Sequence, residues 1–136
     1  MSGRLSCVVT TPGTARWDVR LGGVVAFDTL AMPLNVVAKT TRHWWLNVLL
    51  TCRAVGSGTS ANLMGQGIWL SETSINTALP ATGPGPGGQM VAYNVTPAVG
   101  TGFNSQSALT LDVFFTQTVA TGSMTVHQAI IEQLTP

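Results

Sequence analysis

This sequence predicts an all-β domain, a single jelly-roll-like antiparallel β-sandwich of about eight strands, and three observations predict it. Gly, Pro, Ser and Asn break the chain about every 8–16 residues, the rhythm of short strands in a sandwich or jelly roll. The runs between these breaks are rich in Val, Leu, Ile, Phe, Trp and Thr, and several alternate with period two. No segment reads as a helix. With 136 residues the chain forms one domain, 1–136, long enough to bury one core.

Taken in order, residues 6–11 make a possible first strand, stopped by Pro12-Gly13. Residues 15–21 alternate: Trp17, Val19 and Leu21 face one side, and Arg16, Asp18 and Arg20 face the other, as in a half-buried strand. Gly22-Gly23 marks a bulge or tight bend before residues 24–27 resume extended structure. Residues 30–40 are ambiguous, with Pro33 restricting any ladder there to an edge or a bend. Residues 43–55, with Trp44-Trp45-Leu46 and Val48-Leu49-Leu50, are apolar almost throughout and read as a strand buried on both faces, in a sandwich or under a partner subunit.

After the turn at Gly56–Ser60, residues 61–71 place Gln66, Ile68 and Leu70 on one face and Trp69 on the other. Residues 73–88 hold the run Gly83-Pro84-Gly85-Pro86-Gly87-Gly88 and read as an exposed contact loop, because proline removes donors and glycine is entropically costly to order. Residues 89–96 form a strand ended by Pro97, and residues 100–105 turn. Residues 108–117 set Leu109, Leu111, Val113 and Phe115 against Thr110, Asp112, Phe114 and Thr116. After Thr121-Gly122, residues 123–134 set Met124, Val126, Gln128, Ile130 and Leu134 against Thr125, His127, Ala129 and Ile131. An extended N-terminal arm is expected over about 1–12.

Charge is the anomaly: 8% of residues are Asp, Glu, Lys or Arg, against roughly 25% in an ordinary soluble domain. Lys39 is the one lysine, and Thr, Ser, Asn, Gln and Gly take the place of the missing charges. Low charge at 45% apolar content opposes disorder. A net charge of +1 gives no electrostatic reason to expect nucleic acid or an anionic membrane as partner. No apolar run is long enough for a transmembrane helix, and residues 1–5 lack the apolar stretch of a signal peptide. Weak self-repulsion favours association, so homo-oligomers are expected.

The sequence offers little for catalysis, and no enzymatic activity is expected. The five carboxylates, Asp18, Asp28, Glu72, Asp112 and Glu132, show no spacing that pairs them for acid–base work, and they read as solvated or hydrogen-bonded surface groups. His43 and His127 lack metal-ligand spacing, so no metal or cofactor is expected. Gly56-Ser57-Gly58 is a turn rather than a nucleophile elbow. Cys52, in an apolar run, reads as a reduced core thiol, with a Cys7–Cys52 bridge left open. The tryptophans 17, 44, 45 and 69 are read first as core or interface residues, and second as glycan-stacking platforms.

Trp44-Trp45-Leu46-Asn47-Val48-Leu49-Leu50-Thr51-Cys52-Arg53, a small-residue turn, and Gly65-Gln66-Gly67-Ile68-Trp69-Leu70 together resemble small virion proteins of tailed bacteriophages. So does Ala108-Leu109-Thr110-Leu111-Asp112-Val113-Phe114-Phe115 followed by residues 122–134, which end in an apolar-acidic segment. The likeness spans about residues 43–134 and rests on strand patterns. It implies a jelly-roll capsid cement, or decoration, protein that forms dimers or trimers on the outer capsid surface of the virion. Such a protein stabilises the shell by bridging major capsid proteins. The alternative it implies is a tail-tip or fibre receptor-binding module contacting host glycans, and the lack of a collagen-like or coiled-coil shaft in the sequence favours cement.

Overall fold

The computed structural model describes residues 1–7, 13–34, 37–71, 88–92, 100–118 and 122–134, with the backbone alone for 88–92 and 100. Their strands are β1 (Ser2–Cys7), β2 (Thr14–Leu21), β3 (Val24–Asp28), β4 (Met32–Pro33), β5 (Lys39–Ala54), β6 (Asn62–Ser71), β7 (Gly88–Ala92), β8 (Gly100–Thr101), β9 (Leu111–Gln117) and β10 (Gly122–Gln128). Two of them, β4 and β8, are only two residues long, leaving eight of substance. The one helical turn among the described residues is a 3-10 turn at Gly58–Ser60. The chain is an all-β antiparallel sandwich.

The strands divide between two sheets. Sheet A runs β10-β1-β5-β6-β7, with β8 pairing a different stretch of β6. Sheet B runs β9-β2, and then β3 and β4 share the other edge of β2. The chain passes from sheet A to B between β1 and β2, and from B back to A between β9 and β10. Gly22 and Gly23 connect β2 to β3 with φ of 58° and 82°, the positive pair that a two-residue hairpin turn needs and that glycine supplies without strain.

Alternation explains the core. Sheet B contributes Ala15, Trp17, Val19 and Phe27, and sheet A contributes Leu5, Cys7, Trp44, Leu46 and Trp69, all at most 3% exposed. Three indoles meet at the centre: ring centroids of Trp17 lie 5.0 Å from Trp44 and 5.4 Å from Trp69, and Trp44 lies 5.5 Å from Trp69. Phe115 closes the cluster 4.9 Å from Trp17. Tilted and offset rings at these distances add to plain area burial. The indole N–H groups of Trp17 and Trp44 meet no acceptor among the described residues, so their stabilisation comes from packing. At Gly65 on β6 the sheets come close enough that a Cβ would sit 2.1 Å from the Ala26 carbonyl oxygen on β3.

Several expectations change. The segment 1–12 is not a free arm where it is described: β1 lies between β10 and β5, with Leu5 1% exposed and Cys7 fully buried. The first described strand, Ser2–Cys7, begins earlier than the expected 6–11, of which 8–11 fall outside the described residues. Gly3 and Arg4 hid it by diluting the apolar pattern. Segment 43–55 is buried on one face only, because sheet B covers just one side of sheet A. The strand expected over 123–134 stops at Gln128, the partner of Ser2; beyond that pair, residues 129–134 have no ladder. The Gly/Pro-rich loop expected over 73–88 lies outside the described residues except for the backbone of Gly88.

Candidate interaction surface

The two outer faces of the sandwich differ in chemistry. On sheet B, Arg16, Asp18 and Arg20 alternate outward along β2, and Asp28 on β3 stands directly opposite Asp18. Like charges placed so would repel, but each is neutralised. Arg16 Nε donates to Asp28 Oδ1 at 2.8 Å, and its Nη2 donates to Oδ2. Arg20 Nε donates to Asp18 Oδ1 at 2.7 Å, with Nη2 on Oδ2 at 3.3 Å. The Arg20 guanidinium also lies 4.6 Å over the Phe114 ring. Hydrogen bonding to the carboxylates raises both guanidinium pKa values above their ordinary range.

Under these guanidiniums Asp18 and Asp28 are 4% and 8% exposed, buried rather than solvated. Both oxygens of each carboxylate are held by a guanidinium, which suits a structural clamp. Asp28 Oδ1 also accepts from the Leu30 backbone N–H at 2.8 Å, fixing the corner where Leu30 takes a φ of 57°. Asp112 pairs in register with Arg20 on β9, and Glu132 is exposed beyond β10; Glu72 lies outside the described residues.

Sheet A has a different outer face. Trp45 and Leu49 on β5 are 43% and 52% exposed, and Ile68 on β6 is 36% exposed. The register sets Trp45 opposite Leu70, Asn47 opposite Ile68 and Leu49 opposite Gln66, so these side chains share a face, on which Trp45, Leu49, Ile68 and Leu70 make an apolar stripe interrupted by Asn47 and Gln66. At one end of the stripe Arg4 stands opposite His43, and Thr125 flanks Arg4 on its other side. No Asp or Glu occurs in any strand of sheet A, whereas its strands hold Arg4, Lys39, Arg42 and Arg53, four of the six Lys and Arg residues. Thr41, in β5 where the register with β1 shifts, has a φ of 54°, and its N–H donates to Ser6 Oγ at 2.8 Å.

The sheet A edge carries further apolar surface. β10 pairs with β1 on one side only among the described strands, and Val126 on it is 43% exposed. Residues 129–134 follow, with Ile130, Ile131 and Leu134 exposed at 63%, 75% and 78%. His43 and His127 are both exposed, and no group of three His, Cys, Asp or Glu side chains gathers among the described residues.

The cysteine expectation reverses. Cys7 is buried and Cys52 exposed, and both are free thiols. Inward positions of β5 fade from Trp44 and Leu46, each 2% exposed, through half-buried Val48 and Leu50 to exposed Cys52. Burial pushes the Cys7 thiol pKa up, partly offset by Lys39. Trp17, Trp44 and Trp69 are core, and Trp45 alone of the four indoles faces outward. The sequence reading missed the Asp18–Asp28 pairing, which depends on the register of β2 with β3. The acid–base alternation Arg16-Asp18-Arg20 was its visible half.

No protein-family model matches the chain, and neither a curated protein nor a solved structure matches it.

Proposed function

We propose that this is a non-enzymatic structural protein, which associates with copies of itself and attaches to a larger particle as a capsid cement, or decoration, protein. The observation that carries the assembly reading is the outer face of sheet A. Trp45, Leu49 and Ile68 leave apolar surface in water, with the Arg4–His43 register pair at one end, in a chain with only 8% charged residues. Exposed apolar patches rimmed by polar groups mark interaction surfaces, and aromatic side chains anchor them. The two-sided burial expected for residues 43–55 is then completed by a neighbouring molecule.

The phage-particle reading rests on the sequence resemblance and takes the major capsid protein as partner. Its mechanism is mass action: copies that bind the assembled shell, but not its separated parts, shift the equilibrium toward the intact shell. The glycan-binding alternative retains Trp45 as its one exposed indole. The test is copy number in purified virions, measured against the major shell protein. A ratio of one, or a simple fraction of it, supports cement. A few copies per particle moves the protein to the tail and favours the glycan reading, and absence from virions removes both.

A further inference from the structure

Two apolar surfaces are left bare in the same molecule: the stripe on sheet A and the segment 129–134 that leaves the edge of that sheet. We propose that they are the two halves of one interface, with residues 129–134 of one copy docking on the outer face of sheet A of a second copy, reciprocally, in a two-fold dimer. The proposal rests on the self-assembly reading above and names its surface.

Charge complementarity points to the pairing. Glu132 is the acidic residue of the segment, in the sequence Ala129-Ile130-Ile131-Glu132-Gln133-Leu134. The face it meets has no acidic residue in any strand of its sheet, and Arg4 and His43 stand beside the apolar stripe. Sheet B is the opposite case: its strands hold Asp18, Asp28 and Asp112, and its two arginines are already engaged by Asp28 and Asp18. An acidic segment is therefore attracted to sheet A rather than to sheet B.

Spacing also matches. In an extended segment Ile130, Glu132 and Leu134 lie on one side, with the outer pair about 13 Å apart at ~3.3 Å per residue. Trp45, Asn47 and Leu49 lie on one side of β5 with the same separation, again apolar–polar–apolar. Within one chain the segment stays 63–78% exposed at its three large apolar residues, so its own face does not bury it. A two-fold dimer uses each half twice, as an isologous interface requires.

The test is sedimentation equilibrium of the purified chain without any particle. The wild type is expected at twice the chain mass, and a monomer at micromolar concentration overturns the proposal. The double variant Ile130→Asp/Leu134→Asp and, separately, Leu49→Asp are each expected to weaken self-association about hundredfold or more, as polar groups buried in an interface centre do. All are exposed positions, and far-UV circular dichroism checks that the variants are folded. Mixing the two variants is the decisive arm. Each supplies the half that the other lacks, so one of the two contacts is restored and a mixed dimer forms; no mixed dimer overturns the proposal. If both variants remain dimeric alone, the interface lies elsewhere: the proposal falls while self-assembly stands. Copy number in virions is an independent readout, so failure of the particle reading is seen separately.

Discussion

Trp44 and Trp45 are adjacent, chemically identical and, in the sequence, equally hydrophobic, yet one is core and the other outer surface. Replacing each with alanine separates the two roles. Trp44 is 2% exposed and touches the rings of Trp17 and Trp69, with centroids at 5.0 and 5.5 Å. Trp44→Ala removes this burial and leaves a cavity between the sheets, at a cost of about 3–5 kcal/mol. No hydrogen bond offsets or adds to that figure, because the Trp44 indole N–H has no acceptor among the described residues. Trp45 is 43% exposed, so Trp45→Ala should cost about 1 kcal/mol or less in the isolated chain. Against a total stability of about 5–15 kcal/mol the first change is severe and the second mild. Urea unfolding followed by far-UV circular dichroism reads both, with midpoints compared at constant m. Protein concentration must be equal and low, because association adds concentration-dependent stability. Equal losses, or a larger loss at Trp45, would refute the assignment of the inward and outward faces of β5 and with it the apolar stripe.

Four further outcomes follow from the same structure. Under native conditions a thiol reagent should modify exposed Cys52 quickly and buried Cys7 only on unfolding; quick loss of both thiols contradicts the burial of β1. Because burial raises the Cys7 pKa above its ordinary 9.0, its protonated form stabilises the fold below that value, and stability should decline as pH rises past it while the unfolded thiol ionises. Cys7→Ala should flatten that decline, and an unchanged pH profile counts against it. Asp28→Ala strips partners from Arg16 and from the Leu30 N–H and should cost about 2–3 kcal/mol by thermal denaturation, less than a fully buried pair because Arg16 is 43% exposed. Deleting residues 1–7 should unfold the domain rather than release an arm, since β1 joins β10 to β5; a cooperative melt from the truncated chain would contradict that role.

The sequence by itself determined what depends on neighbours along the chain. Period-two alternation is a local property, so β2, β6 and β9 were legible as strands with their residues correctly divided between two faces, Trp17, Trp69 and Phe115 each on the face that proves to be inward. Gly22-Gly23 was legible as a tight turn because only a residue without Cβ takes both positive φ values without strain. What only the tertiary structure decided is which surfaces meet. Residues 43–55 look doubly buried because apolarity records that a side chain avoids water, not whether its own chain or another molecule covers it. Cys52 lies in phase with Trp44 and Leu46, yet it is exposed, because burial depends on what packs over a position and not on its phase along the strand. β1 reads as a loose arm until β10 and β5 close on it from positions far along the chain. The Asp18–Asp28 clamp and the basic–apolar face of sheet A are both products of register, and strand register is fixed by packing between distant segments rather than by the residues of either strand alone.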